Sequence, residues 1–285
     1  MHTVFYFLPF FLAVFGVSKS QNPIPAAAPI VNTDHFCGND VMQSILYAQN
    51  PTLLEKQLDL EKAAYNFFSS GSETEKLLYT LPVVVHIIHD NGAENISDAM
   101  VIQGIQDLND SYANVGYYDQ GTGVDTEIQF CLAKRDPDGN PTTGINRVVT
   151  PLTEMVLETD DISVKDLSRW DPLSYINIWL VREICSAGLG CGVAGYAYFP
   201  SSHGNPEDGI MMEASWMGTT PANSAVLSHE IGHYLGLYHT FQGDGSGCPP
   251  NTDCTTDGDF CCDTDPHERT SSNVCWSGVN NPCTG

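Results

Sequence analysis

His229-Glu230-Ile231-Gly232-His233-Tyr234-Leu235-Gly236-Leu237-Tyr238-His239 is the stretch from which the rest of the chain is read. On a helix, His229 and His233 leave the same face one turn apart, as two ligands of one metal must. Glu230 lies about 100° around that helix from His229, within reach of a water on the metal without being a ligand itself. Gly236 can take the left-handed backbone that ends a helix, and the chain can then turn His239 back to the same ion. Three protein ligands and a fourth position for water make an open zinc site, with Glu230 as general base. Thr220-Pro221 provides a capping hydroxyl and a proline for the first turn, and Leu227, Ile231, Tyr234 and Leu235 fall on the opposite face. A bare HExxH string occurs by chance on surface helices; Gly236 and His239 at their spacing select the metal reading.

Working outward, Pro82 to His89 is a β-branched run that predicts a buried first strand. Ser97 caps a predicted helix whose Val101, Ile105, Leu108 and Tyr112 share a face. Thr126–Ala133 and Ile176–Val181 read as further strands, with a turn at Asp136-Pro137-Asp138-Gly139 between them. Gly209–Glu213 reads as a short edge strand just before the histidine helix. The expected class is α+β: a twisted mixed sheet with one backing helix and a second helix carrying the site.

Residues 1–20 read as a signal peptide, because the apolar run Val4–Val17 is too short to span a bilayer and Ser18 and Ser20 make a small-x-small cleavage site. Gln21–Val31 is a Pro/Ala-rich linker, Asn50-Pro51 opens a helix, and Ser69–Glu75 is a small, polar loop open to cleavage. Residues 21–78 are therefore read as a prosegment and 79–285 as the catalytic domain. Ten cysteines follow the signal, six of them between Cys248 and Cys283, which in an exported chain predicts disulfides. Cys185 and Cys191 flank a short loop and are candidates to pair, and the adjacent Cys261 and Cys262 are expected to bridge to different partners. Eleven Lys and Arg against 35 Asp and Glu argue against nucleic acid or an anionic membrane as partner. No membrane span is expected, and Asn95 and Asn109 stand in glycosylation sequons.

Gly190-Cys191-Gly192-Val193-Ala194-Gly195 matches a dinucleotide fingerprint, but the Tyr196–Pro200 segment that follows does not read as a helix, so a flexible loop rimming a cleft is expected instead. His86 and His89 read as buried structural residues. Cys37 is read in two ways, as a latch whose thiolate takes the vacant metal position or as an ordinary disulfide partner. Asp257, Asp259, Asp263 and Asp265 are read either as a calcium loop or as a solvated acidic loop.

His229 through His239, followed by Thr240-Phe241, resembles the zinc motif of the metzincin metallopeptidases, and most closely that of the pappalysin family. Leu81-Pro82-Val83-Val84-Val85-His86 resembles that family's first strand, Cys262-Asp263-Thr264 with Pro266 its post-helix segment, and Cys37-Gly38 its prosegment motif. Matrixins usually place serine where this chain has Thr240. The resemblance implies zinc on His229, His233 and His239, Glu230 as base, calcium candidates at Asp263 and Thr264, and a small, irregular Cys-rich lower subdomain. Metzincins carry a methionine turn beneath the zinc, whereas the last methionine here, Met217, precedes the motif; that turn is expected beyond Gly285. The favoured function is a secreted zinc endopeptidase acting on protein or peptide substrates. An exported zinc-stabilised binding or adhesion protein without turnover is the alternative.

Overall fold

The apolar run around Pro82 becomes the spine of a mixed sheet. The computed structural model describes residues 36–71, 77–121, 123–244, 247–269, 281 and 283; the signal and linker readings lie outside them. The N-terminal segment forms β1 (Phe36–Cys37), α1 (Asn39–Gln49) and α2 (Pro51–Ser69). It is followed by β2 (Tyr79–His89), α3 (Asp98–Tyr112), β3 (Ile128–Leu132), β4 (Ile145–Val149), β5 (Glu154–Val156) and α4 (Leu157–Lys165). Last come β6 (Ile176–Val181), β7 (Glu183–Ser186), β8 (Gly190–Cys191), β9 (Val193–Ala197), β10 (Ile210–Glu213) and α5 (Pro221–Tyr234).

The main sheet runs β1-β9-β10-β6-β2-β3, with β4 also on β2. β3 pairs with the first half of β2 and β4 with the second, both in parallel. β6 and β10 continue the parallel pairing, and β9 is antiparallel to β10. Strand period places alternate residues on opposite faces. Val83, Val85, Ile87, Ile178, Leu180, Ile210 and Met212 join one cluster with Val101, Ile105 and Leu108 of α3 and Leu227 and Ile231 of α5. Ile88, Trp179, Val181, Tyr196 and Met211 join a second cluster with Leu157 and Val164 of α4. A sheet covered on both faces needs near-continuous apolar strands, as β2 from Leu81 onward and β6 are apart from His86, His89 and Asn177. Ser97 caps α3 as expected, its side chain accepting from the Met100 amide at 3.3 Å.

Four expectations are corrected. β10 is an interior strand between β9 and β6 rather than an edge, since its row of backbone groups is satisfied on both sides. The glycine-rich segment is no flexible loop: it supplies β8 and the wholly buried β9. Leu235 lies past the last turn of α5 and is 38% exposed. The sequence reading also passed over β4, β5 and α4, whose mixed polarity hides their period. Cys185–Cys191, Cys248–Cys283 and Cys254–Cys262 are disulfides; among the described residues Cys37, Cys131 and Cys261 are free, so only one of the adjacent pair is bridged. No helix among the described residues is long and apolar enough to cross a membrane.

Candidate active site

The histidine helix is built as its residues dictate. Thr220 caps α5 by accepting from the Asn223 amide at 3.2 Å, and Pro221 occupies the first turn. Leu227 and Ile231 anchor the far side in the core, leaving His229 and His233 toward a cleft of about 450 Å³ that Tyr112, Thr126, Ser228 and Phe241 also line. After Tyr234 the chain turns at Gly236, whose φ of 106° is open to glycine and disfavoured for other residues. That turn delivers His239 to the other two rings.

The three Nε2 atoms converge. His233 lies 3.0 Å from His229 and 3.1 Å from His239, and His239 lies 3.3 Å from His229. Cys37 completes the cluster, with Sγ 3.5 Å from His233 Nε2 and 3.9 Å from Glu230 Oε2. Sequence separation between Cys37 and these partners is 193 residues or more, so only folding brings them together. The thiol is free, which sets aside its reading as a disulfide partner. His86 and His89 stay in the sheet interior, as expected, and Asp263 joins no ligand group of three or more among the described residues. The Thr264 carbonyl accepts from Asn251 Nδ2 at 2.8 Å.

The N-terminal segment reaches the cluster along the outer edge of β9. β1 pairs parallel to it, with Cys37 opposite Gly195, and the Gly38 amide donates to the Gly195 carbonyl at 2.8 Å. A Cβ at Gly38 would stand 2.9 Å from Val193 Cγ1, which explains the Cys-Gly pair: the chain must press against β9 immediately after the thiol. Asn39 Nδ2 donates to the Ala197 carbonyl at 2.9 Å, and Lys56 Nζ to the Ser201 carbonyl at 2.7 Å. Tyr47 and Leu53 pack on Phe199.

Enclosure sets the protonation of the site. Burial pushes Glu230 up to about 8 and the Cys37 thiol well above its usual range, the latter helped by the neighbouring Glu230. Burial, reinforced by His239, holds His229 down to about 4 and His233 well below the imidazole range. Neutral imidazoles keep a lone pair for a cation, and His233 Nδ1 donates to the Leu237 carbonyl at 2.7 Å, which leaves Nε2 as the free acceptor. Burial alone would raise Asp40, but hydrogen bonds from His239 and Arg269 outweigh it and hold this carboxyl well below the usual range.

Sequence reasoning missed three participants. Asp40 and Arg269 flank His239, and Gly195 lets β9 approach Glu230, because a Cβ there would stand 3.1 Å from Glu230 Cγ. The glycine run around Gly195 was a usable signal, since glycine inside a strand marks close approach by a neighbour. Nothing in the sequence around Asp40 or Arg269 signalled their contact.

A family profile described as Pregnancy-associated plasma protein-A matches residues 158–285. Mature mirolysin of Tannerella forsythia, in complex with a cleaved peptide, shares 33% identity at a TM-score of 0.52 and covers 62% of this chain and 68% of its own. A mutant of Tannerella forsythia promirolysin is similar over 82% of this chain and 76% of its own, at 29% identity and a TM-score of 0.58. An extracellular metalloprotease of Arthroderma otae is 25% identical over 262 residues, 87% of this chain and 78% of the relative. Fold, histidine cluster and relatives together define the class, a metalloendopeptidase with a metzincin-like catalytic domain. Within that class the chain belongs to the pappalysin family. It acts on protein or peptide substrates and depends on a metal, which displaces the alternative of a binding protein without turnover.

Proposed function

We propose that this chain is the latent form of a secreted zinc endopeptidase in which His229, His233 and His239 hold the ion and Glu230 is the general base. The spacing of the ligand atoms carries this reading. Tetrahedral zinc, with nitrogen at about 2.0 Å and sulfur at about 2.3 Å, sets two nitrogens about 3.3 Å apart and nitrogen and sulfur about 3.5 Å apart. The imidazole nitrogens here lie 3.0–3.3 Å apart and Cys37 Sγ lies 3.5 Å from His233 Nε2, so the donor set fits that ion. When bound, zinc supplies a Lewis acid that lowers the pKa of water from about 15.7 toward 7 and polarises a peptide carbonyl.

The residues of the chain do the remaining work. Glu230 is buried beside the position that the Cys37 thiol fills, where it can take a proton from an attacking water and pass it to the leaving amine. The Leu237 carbonyl fixes the tautomer of His233. The outer edge of β9, covered by β1 in this form, offers backbone groups to which an extended substrate can pair. In this reading residues 1–20 are the signal peptide and 21–78 the prosegment. Cys37 is the latch, and cleavage between α2 and β2 releases 79–285. Extracellular metalloproteases among the relatives support secretion.

Replacing Glu230 by Gln in the processed chain is expected to leave one zinc bound and the fold unchanged, while casein cleavage falls at least ~10²- to 10⁴-fold. Full turnover by that variant would reject the assigned base. Cleavage by the unsubstituted chain is expected to stop with a chelator and return with zinc.

A further inference from the structure

His229 and His233 are held by a helix, but His239 lies beyond Gly236, where no helical backbone aims its ring. Its orientation comes from two contacts. Phe241 stacks on the ring at 4.4 Å between centroids, with planes 13° apart, and Nδ1 donates to Asp40 Oδ1 at 3.1 Å. Asp40 stands in the first turn of α1, three residues after Cys37. Its other oxygen, Oδ2, accepts from the Arg269 guanidinium at 2.8 Å. Arg269 is seated by stacking over Phe241 at 4.2 Å, and its amide donates to Asp244 Oδ2 at 3.2 Å. His239, Asp40, Arg269 and Phe241 thus form a closed ring, and one member of it, Asp40, belongs to the prosegment. The Asp40 side chain is 12% exposed and that of His239 5%, so solvent competes little for their hydrogen bond.

Resting on the zinc reading above, we propose that Asp40 is a positioning residue for His239: the prosegment completes the metal centre twice, with Cys37 toward the ion and Asp40 behind the third ligand. A carboxylate on Nδ1–H fixes the imidazole tautomer, keeps Nε2 toward the cation and raises its basicity. The latent chain therefore holds zinc more tightly than Cys37 alone accounts for. Cleavage of the prosegment removes a ligand and an orienting carboxylate together, leaving His239 with only its Phe241 stack. Arg269 has the complementary task of seating the carboxylate, through a contact that docks the prosegment without touching the imidazole itself.

The test uses the full-length chain with Asp40→Ala, Asp40→Glu and Arg269→Gln, each titrated for zinc against a fluorescent chelator and for cobalt(II) by its visible absorption. Asp40→Ala is expected to weaken zinc binding ~10- to 100-fold and to alter the cobalt band shape, with partial rescue by Asp40→Glu. Arg269→Gln is expected to speed tryptic release of α1 and α2 while changing zinc affinity and the cobalt spectrum less than Asp40→Ala does. Limited proteolysis and thermal melting report whether each variant stays folded and docked. Zinc affinity within twofold of the unsubstituted chain in folded Asp40→Ala overturns the inference. Equal losses in Asp40→Ala and Arg269→Gln also overturn it, because the effect would then belong to docking. If the unsubstituted chain binds zinc and Asp40→Ala is neutral, this inference fails alone; failure to bind zinc at all brings down the proposed function with it.

Discussion

The two sides of the cleft are held in different ways. On one side, β2, β6 and β10 bury every alternate residue against α3 and α5, and Val83, Val85, Ile178, Leu180, Leu227 and Ile231 are wholly enclosed. On the other, the N-terminal segment touches the body of the molecule through a few residues of α1 and the first half of α2, chiefly Met42, Tyr47, Leu53 and Gln57. Past Gln57 the helix turns apolar side chains to solvent, with Tyr65 41%, Phe67 57% and Phe68 84% exposed. The first arrangement cannot come apart without unfolding the domain. The second is concentrated near Cys37 and Asp40, and in the proposed reading it leaves the cleft while β9, β10, β6 and β2 stay paired. The proposed latent form requires that contrast, a rigid frame to hold the histidines and a separable cover over them.

The contrast can be broken most sharply by matched truncations. Ile178→Ala removes buried methyls from the centre of the sheet and is expected to cost about 2–5 kcal/mol of global stability, read by denaturant unfolding. Leu53→Ala is expected to leave the main unfolding transition in place and to accelerate alkylation of Cys37 and tryptic release of α1 and α2. If the two variants shifted the same cooperative transition equally, the segment would be an integral part of the core.

Acid offers a second way to separate the two sides. Burial holds His86 of β2 down to about 4, partly offset by its hydrogen bond to Asn177 Oδ1 at 3.0 Å. Asn146 Nδ2 contacts the other ring nitrogen at 3.3 Å and Trp179 stacks on the ring, so the neutral form is satisfied on all sides. Between the ordinary value of about 6.5 and the folded value of about 4, the unfolded chain binds a proton that the folded chain does not. The His86 contribution to folding stability is therefore complete above about pH 6.5 and is expected to fall by roughly 3 kcal/mol as the pH drops to 4. His86→Gln should flatten that decline, as measured by urea midpoints across this range. An unchanged slope in the variant would place the acid sensitivity elsewhere.

The smallest effect concerns the two sequons. Asn109 Nδ2 donates to the Ile105 and Phe130 carbonyls at 3.0 Å each, while its Oδ1 accepts from the Phe130 amide at 2.8 Å. A glycan there would break these ties between α3 and β3. Asn95 is exposed and makes one contact, to Arg147 Nε at 3.1 Å. Expression in a glycosylating host is expected to give a mass increment abolished by Asn95→Gln and untouched by Asn109→Gln, with little change in stability. Loss of the increment in the Asn109 variant would contradict the bridging role of that half-buried side chain.

Much of the frame could be read from local pattern. The β-branched run of β2, the Ser97 cap, the buried run of β6 and the eleven residues from His229 to His239 each declare themselves within one turn or strand, where period and capping act. β4, β5 and α4 escaped because mixed polarity blurs their period, and β10 was misplaced because no strand's sequence announces whether both of its edges will be paired. The glycine run from Gly190 resembled a nucleotide loop, yet it is the buried strand against which both Cys37 and Glu230 are set.

By itself the sequence determined the histidine helix, the turn that Gly236 permits, the class of sheet and the presence of a Cys-Gly pair far upstream. Those features follow from short-range geometry, in which residues three to ten apart are already constrained by helix pitch and by φ. Tertiary structure alone decided that Cys37 meets His233, that Asp40 stands behind His239 with Arg269 on its other side, and that β1 covers the edge of β9. Such contacts join residues roughly two hundred positions apart; the chain pays their loop-closure entropy only after the sheet has formed, and no local pattern records which partners will then meet.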